Sequence, residues 1–231
     1  MIKEKEQVLF ALWRRERNYS TFMSDGLFDE EGWIDQDVKI LYVLKEANWV
    51  GGDTDLCEYL LSEPSTSTYW RTWNNIVRWT QAIREGGDYK RKISKADKTA
   101  CLKTIAALNI KKIGGDAEAD DEEIKAFGIC DAEFLNTQIE LYQPDIIICC
   151  GRGNGKNADI LHDYVLPRVS EWKPPIGVYN YYLCTFETGK EIPVVSFRHP
   201  QMWGGHKEFE KYFCDMKAVA KGLCEKGYLK K

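Results

Sequence analysis

Apolar residues recur along the 231-residue chain in two alternating rhythms. Residues 4–17 carry Val8, Leu9, Leu12 and Trp13 at helical spacing. Arg14, Arg15 and Arg17 gather toward the end, where the helix dipole favours cations. Val38-Lys39-Ile40-Leu41-Tyr42-Val43-Leu44 is short, β-branched and bounded by polar residues, which predicts a buried strand. A loop over Asn48–Asp53 follows it. The helical period returns over 68–84, with Trp73, Ile76, Val77 and Ile83 on one stripe. Beyond a basic segment (Lys90, Arg91, Lys92, Lys95, Lys98), Ile105–Ile110 predicts a second strand. Asp120-Asp121-Glu122-Glu123 then opens a helix that runs to Pro144, with a break near Gly128.

Asp145-Ile146-Ile147-Ile148-Cys149-Cys150 is apolar almost throughout and ends in Gly151, as suits a central parallel strand buried on both faces. Residues 176–186 and 191–197 predict two strands joined by the turn Glu187-Thr188-Gly189-Lys190. A final helix spans 206–226, its stripe made of Phe209, Tyr212, Phe213, Met216, Val219 and Leu223. Strands separated by helices predict a doubly wound α/β fold. With no internal repeat and no low-complexity linker, residues 1–231 are expected to form one domain. Residues 1–36 would be an N-terminal helical segment packed on it.

Composition narrows the class. Hydrophobic residues make up 44% and charged residues 29%, enough apolar surface for a real core and not the balance of a disordered chain. Apolar runs such as Ile146–Cys150 stop far short of the roughly 20 residues of a membrane span. Met1–Glu6 alternates charges without a signal-peptide stretch, so a cytoplasmic protein with no membrane partner is expected. The eight cysteines include no Cys-x-x-Cys, and the three histidines are scattered. Neither a metal site nor a cofactor is expected, and the adjacent Cys149 and Cys150 read as core residues.

In an open α/β sheet, ligands bind beyond the carboxyl ends of the strands. Those ends deliver Lys45-Glu46-Ala47-Asn48-Trp49, Asn109, Gly151-Arg152-Gly153-Asn154-Gly155-Lys156, and Arg198-His199-Pro200-Gln201-Met202-Trp203. One carboxylate, two amides and a histidine therefore meet on one edge. The glycine segment fails as a phosphate-binding loop, because Cys150 stands where the first glycine belongs and Asn157 where Ser or Thr belongs. It also fails as a dinucleotide fingerprint, since Lys156 occupies the last glycine position.

The order of these motifs resembles the uracil-DNA glycosylase superfamily. Lys45-Glu46-Ala47-Asn48-Trp49 looks like that family's Gly-Glu-Ala-Pro-Gly loop, and Leu108-Asn109 its Leu-Asn strand end. Pro144-Asp145 through Gly151 matches its third strand, and His199-Pro200-Gln201 its His-Pro-Ser turn. The likeness covers roughly 38–215. Lys45, Asn48 and Gln201 depart from the pattern, and no cysteine precedes Cys57 to hold an iron–sulfur cluster. The resemblance implies a three-layer fold with a short central parallel sheet between helices. It also implies a hydrolase of DNA repair that excises a flipped uracil or other altered base.

Breaking an N-glycosidic bond puts positive charge on the sugar and negative charge on the departing base. On the resemblance, Glu46, with Asn48 as substitute, would hold water and offset the cation, and His199 would hydrogen-bond the anionic base. Asn109 would read the base edge, with Tyr69 or Trp70 stacked on its face. Met202 and Trp203 would enter the duplex as a wedge. Arg152, Lys156 and Arg198 would rim the same edge and contact phosphates, although a net charge of −4 does not favour strong nonspecific binding. The expected partner is single- or double-stranded DNA, and the expected state a monomer. Two other readings stand beside this one: a noncatalytic nucleic-acid-binding or nucleotide-sensing protein on the same fold, and a nucleotide-dependent enzyme using Gly151–Lys156.

Overall fold

A computed structural model describes residues 1–48, 52–62, 71–115, 119–153, 155–202 and 204–230. In chain order, helix α1 (Ile2–Arg17) leads to strands β1 (Met23–Ser24) and β2 (Gly26–Leu27) and helix α2 (Glu30–Ile34). Strands β3 (Ile40–Leu44) and β4 (Thr54–Asp55) follow, then helices α3 (Leu56–Leu61), α4 (Arg71–Arg84) and α5 (Lys95–Leu102). The chain continues through β5 (Ala106–Asn109), α6 (Asp121–Cys130), α7 (Ala132–Tyr142) and β6 (Ile146–Cys150). A short helix, α8 (Asn157–Ile160), widens into a π-helical turn over Leu161–Val165. Strands β7 (Lys173–Ile176), β8 (Tyr179–Thr185) and β9 (Glu191–Phe197) precede the terminal helix α9 (His206–Glu225).

The main sheet has seven strands in the order β2-β5-β3-β6-β9-β8-β7. The four central strands, β5, β3, β6 and β9, are parallel. The expected parallel sheet is thus its middle only. The edges are antiparallel: β2 against β5 on one side, and β8 and β7 beyond β9 on the other. The β8–β9 hairpin follows from its four-residue turn, whereas β2 is two residues long and carries no period to read. β1 and β4 form a separate parallel pair.

Strand residues alternate between two cores. Ile40, Tyr42 and Leu44 of β3 join Trp79, Phe213 and Met216 on the face covered by α4 and α9. Leu41 and Val43 join Trp13, Leu135 and Ile139 on the face covered by α1 and α7. Complete burial on both sides is why β3 and β6 read as unbroken apolar runs. Cys149 and Cys150 pack one into each core. No helix among the described residues is long and apolar enough to cross a membrane.

Local patterns place most helices where expected, with physical reasons for the differences. The buried face of α1 is Glu6, Leu9, Phe10 and Trp13, whereas Val8 and Leu12 face solvent. Glu6 turns the helix inward: its carboxylate holds Lys3 at 2.6 Å, the Tyr142 hydroxyl at 2.5 Å and the Leu27 amide at 3.1 Å. The helix after Asp120 breaks at Asp131 rather than at Gly128. Buried Asp131 accepts hydrogen bonds from Arg17 and Tyr19, both at 2.8 Å. The basic segment contains α5, capped where the Ser94 hydroxyl accepts the Asp97 amide at 3.0 Å. The stretch 1–36 is more than helical, because it supplies β1, β2 and the buried Asp25 between them.

Asp25 and Lys112 form an ion pair at 2.5 Å with both side chains fully buried. Burial holds the Lys112 ammonium below its ordinary pKa despite the Asp25 charge. Breaking such a pair leaves an uncompensated charge in the interior. Lys112→Met should therefore lower unfolding free energy by about 3–5 kcal/mol in urea denaturation. Lys112→Met combined with Asp25→Asn should recover much of that loss.

Candidate functional site

Strand register brings the candidate residues together. Leu44 at the end of β3 is level with Asn109 at the end of β5, and Cys150 of β6 with Phe197 of β9. Glu46 and His199 each lie two residues beyond their strand, so both emerge at the same edge as Asn109. The connection leaving β3 leads to β5 on one side, and that leaving β6 leads to the other. Such a divergence opens a crevice over the carboxyl edge. A cavity of about 370 Å³ occupies it, lined by Glu46, Asn48, Asn109, His199 and Gln201, with Leu44, Tyr59 and Trp73 among its walls.

Glu46 is held from two sides. Its Oε2 accepts from Lys111 Nζ at 2.8 Å, and only 5% of each side chain is exposed. Lys111 also holds Glu123 at 3.0 Å. Burial alone would lower the Lys111 pKa, but these two carboxylates outweigh it and raise it. The carboxylate lies so close to the Gly115 backbone that a Cβ there would overlap it. Gly115 bridges to Asn48 and donates its amide to Ala47 at 3.0 Å, which fixes the loop. Glu46 Oε1 has no hydrogen-bond partner among the described residues.

Asn109 is oriented from beneath. Its backbone amide donates to Asp25 Oδ2 at 2.7 Å, and its side-chain Nδ2 to the same oxygen at 3.4 Å. Holding Nδ2 at Asp25 leaves Oδ1 as the acceptor end of the amide. Asp25 Oδ1 takes Lys112 and, at 2.9 Å, Gln138. The carboxylate thus accepts four donors.

His199 presents the opposite polarity. Its Nδ1 accepts the Gln201 amide at 3.2 Å, so the neutral ring carries its proton on Nε2. Burial, with the Lys45 charge adding to it, pushes the imidazole down to about 4, and the neutral ring prevails near pH 7. The turn is anchored by α4, where Asn75 donates to the Pro200 carbonyl at 2.7 Å and Arg78 braces Asn75 at 2.9 Å.

Other expected residues take different places. Met202 is partly buried and packs against the α4–α9 core, with its carbonyl accepting from Arg71. Arg198 faces Tyr179 at 3.2 Å and lies over the Tyr212 ring at 4.5 Å. Arg152 is exposed and lines a separate polar cavity of about 380 Å³ with Trp172, Asn180 and Ser196. Lys156 pairs with Asp121. Gly155 donates its amide to Asp159 at 2.6 Å, so that amide of the glycine segment is already committed. Tyr69, Trp70, Trp203 and Trp49 lie outside the described residues. No group of three His, Cys, Asp or Glu suited to a metal ion occurs among the described residues.

Sequence reasoning missed Asp25, Lys111, Tyr59 and Trp73. A signal existed only for Lys111, a charge immediately beyond a predicted strand end. Asp25 sits where no periodicity marks burial.

The His199 environment predicts a pH dependence. The folded ring gains its proton near 4 and an unperturbed histidine near 6.5. Between those values the unfolded chain binds more protons, so stability falls as pH drops through that window. Urea denaturation across it should show a slope that His199→Gln flattens; parallel slopes would place the ring in solvent. Compared with protein families, with curated proteins and with solved structures, the chain has no match in any of the three.

Proposed function

We propose that the cavity binds a base flipped out of DNA and hydrolyses its N-glycosidic bond, on a three-layer fold of the uracil-DNA glycosylase type. The observation that carries this reading is the convergence of Glu46, Asn109 and His199 on one cavity with complementary polarity. Asn109 Oδ1 offers an acceptor and His199 Nε2 a donor. A base with an N–H beside a carbonyl, as in uracil or hypoxanthine, satisfies both.

The chemistry then follows from charge. The C1′–N bond breaks with its electron pair leaving on the base, and the negative charge reaches the carbonyl oxygen facing His199. A neutral, fixed N–H there stabilises the departing anion without moving a proton. Glu46 Oε1 aligns water toward C1′ and offsets the positive sugar. The water oxygen bonds to C1′ as one of its protons passes to the Glu46 carboxylate, which returns it to solvent, and the departing base anion takes a proton from solvent. Tyr59 and Trp73 supply aromatic walls beside the base.

One observation favours a second reading. The Lys111 ammonium already engages Glu46, and a carboxylate so paired suits a protein that binds a flipped base without cleaving it.

Single- and double-stranded oligonucleotides carrying uracil, hypoxanthine, xanthine or bulky pyrimidines separate the two. Base release should fall about a hundred- to a thousandfold in His199→Ala, the loss expected from one preorganised donor. DNA affinity should change much less, because phosphate contacts dominate it. Binding without release from any substrate would select the noncatalytic reading. Release that survives in both Glu46→Ala and Asn48→Ala would remove the assigned water-holding group.

A further inference from the structure

Lys45 leaves the end of β3 and Lys156 immediately precedes α8, yet both ammonium groups converge on the Asp121 carboxylate at the start of α6. The glycine turn after β6 makes room for them. Gly151 and Gly153 both adopt φ +127°, in the region that favours glycine. The Lys45 stem passes over Gly151 and the Lys156 stem over Gly153.

Two cations on one anion leave a positive charge uncompensated within the trio. Asp121 is 40% exposed, so its carboxylate borders water. A phosphate group offers several acceptor oxygens around one negative centre, so it can engage both ammonium groups at once.

We propose that Lys45 and Lys156 form a phosphate-binding site beside the cavity, which Asp121 occupies until a phosphate group displaces it. The site deepens the reading above, on which it rests for its place in catalysis. Lys45 adjoins Glu46 and its charge is felt at His199. The bound group would then flank the nucleotide whose base enters the cavity.

The test measures binding of a short unmodified oligothymidine and of inorganic phosphate to wild type, Asp121→Asn and Lys156→Met across a salt series. Asp121→Asn should tighten binding about twofold to fivefold, the worth of an exposed ion pair. Lys156→Met should weaken oligothymidine binding and flatten its log–log salt slope by about 0.7, the single-strand increment for one lost phosphate contact. The same opposed changes with inorganic phosphate assign the site to a free phosphate group; changes with oligothymidine alone assign it to a strand phosphodiester. A gain in Asp121→Asn cannot come from misfolding, so that variant carries the test even where Lys156→Met unfolds. If it binds neither probe more tightly, Asp121 is only a structural partner and the proposal fails. Neither probe requires a glycosidic bond to break, so the result is independent of base release.

Discussion

A buried carboxylate without partners is among the most costly groups a fold can contain, and Asp25 has four donors. They come from β5, from the loop beyond it and from α7, so satisfying one charge ties three parts of the chain together. The same carboxylate fixes the edge of the cavity, because two of its donors belong to Asn109. Stability and the shape of the cavity therefore share one carboxylate: whatever removes the Asp25 charge also frees the Asn109 amide to rotate.

Above that node, the carboxyl edge of the sheet is a ladder of opposite charges. Lys111 stands between Glu46 and Glu123, and Asp121 stands between Lys45 and Lys156. The acids Asp121 and Glu123 both come from the first turn of α6, where the dipole already favours negative charge. One helix end thus balances cations delivered by three strand ends. Low exposure makes the Lys111–Glu46 rung stronger than a surface pair, and the Lys45 charge reaches the buried His199 ring.

The legible part of the sequence was whatever had a period. β3, β6 and the β8–β9 hairpin stand within two or three residues of their predicted bounds, because double burial or alternation writes itself into residue type. The convergence of Glu46, Asn109 and His199 was legible too, since strand ends of a parallel sheet must share an edge. Asp25 was not, because β1 and β2 span two residues each and their burial comes from partners distant in sequence. The packing of Met202 against the core under α4 and α9 was not legible either, because the residues that cover it are distant in sequence. The inward rotation of α1 likewise depends on Tyr142, which lies 136 residues from Glu6.

The cavity is a seam between two cores. Glu46 and Asn109 are set by charges bound to α6, α7 and the β5 end, whereas His199 is set by Asn75 and Arg78 of α4 on the opposite face. Each face can therefore be rigid on its own while the relation between them is carried by the sheet. Asn157 reinforces that relation, because its amide donates to the carbonyls of Val43 at 3.1 Å and Cys150 at 2.8 Å, spanning the ends of β3 and β6. On the proposed reading, a donor such as His199 Nε2 is effective only when it is already aimed before charge develops. The burial that keeps its ring neutral and the α4 contacts that hold its turn are accordingly parts of one requirement.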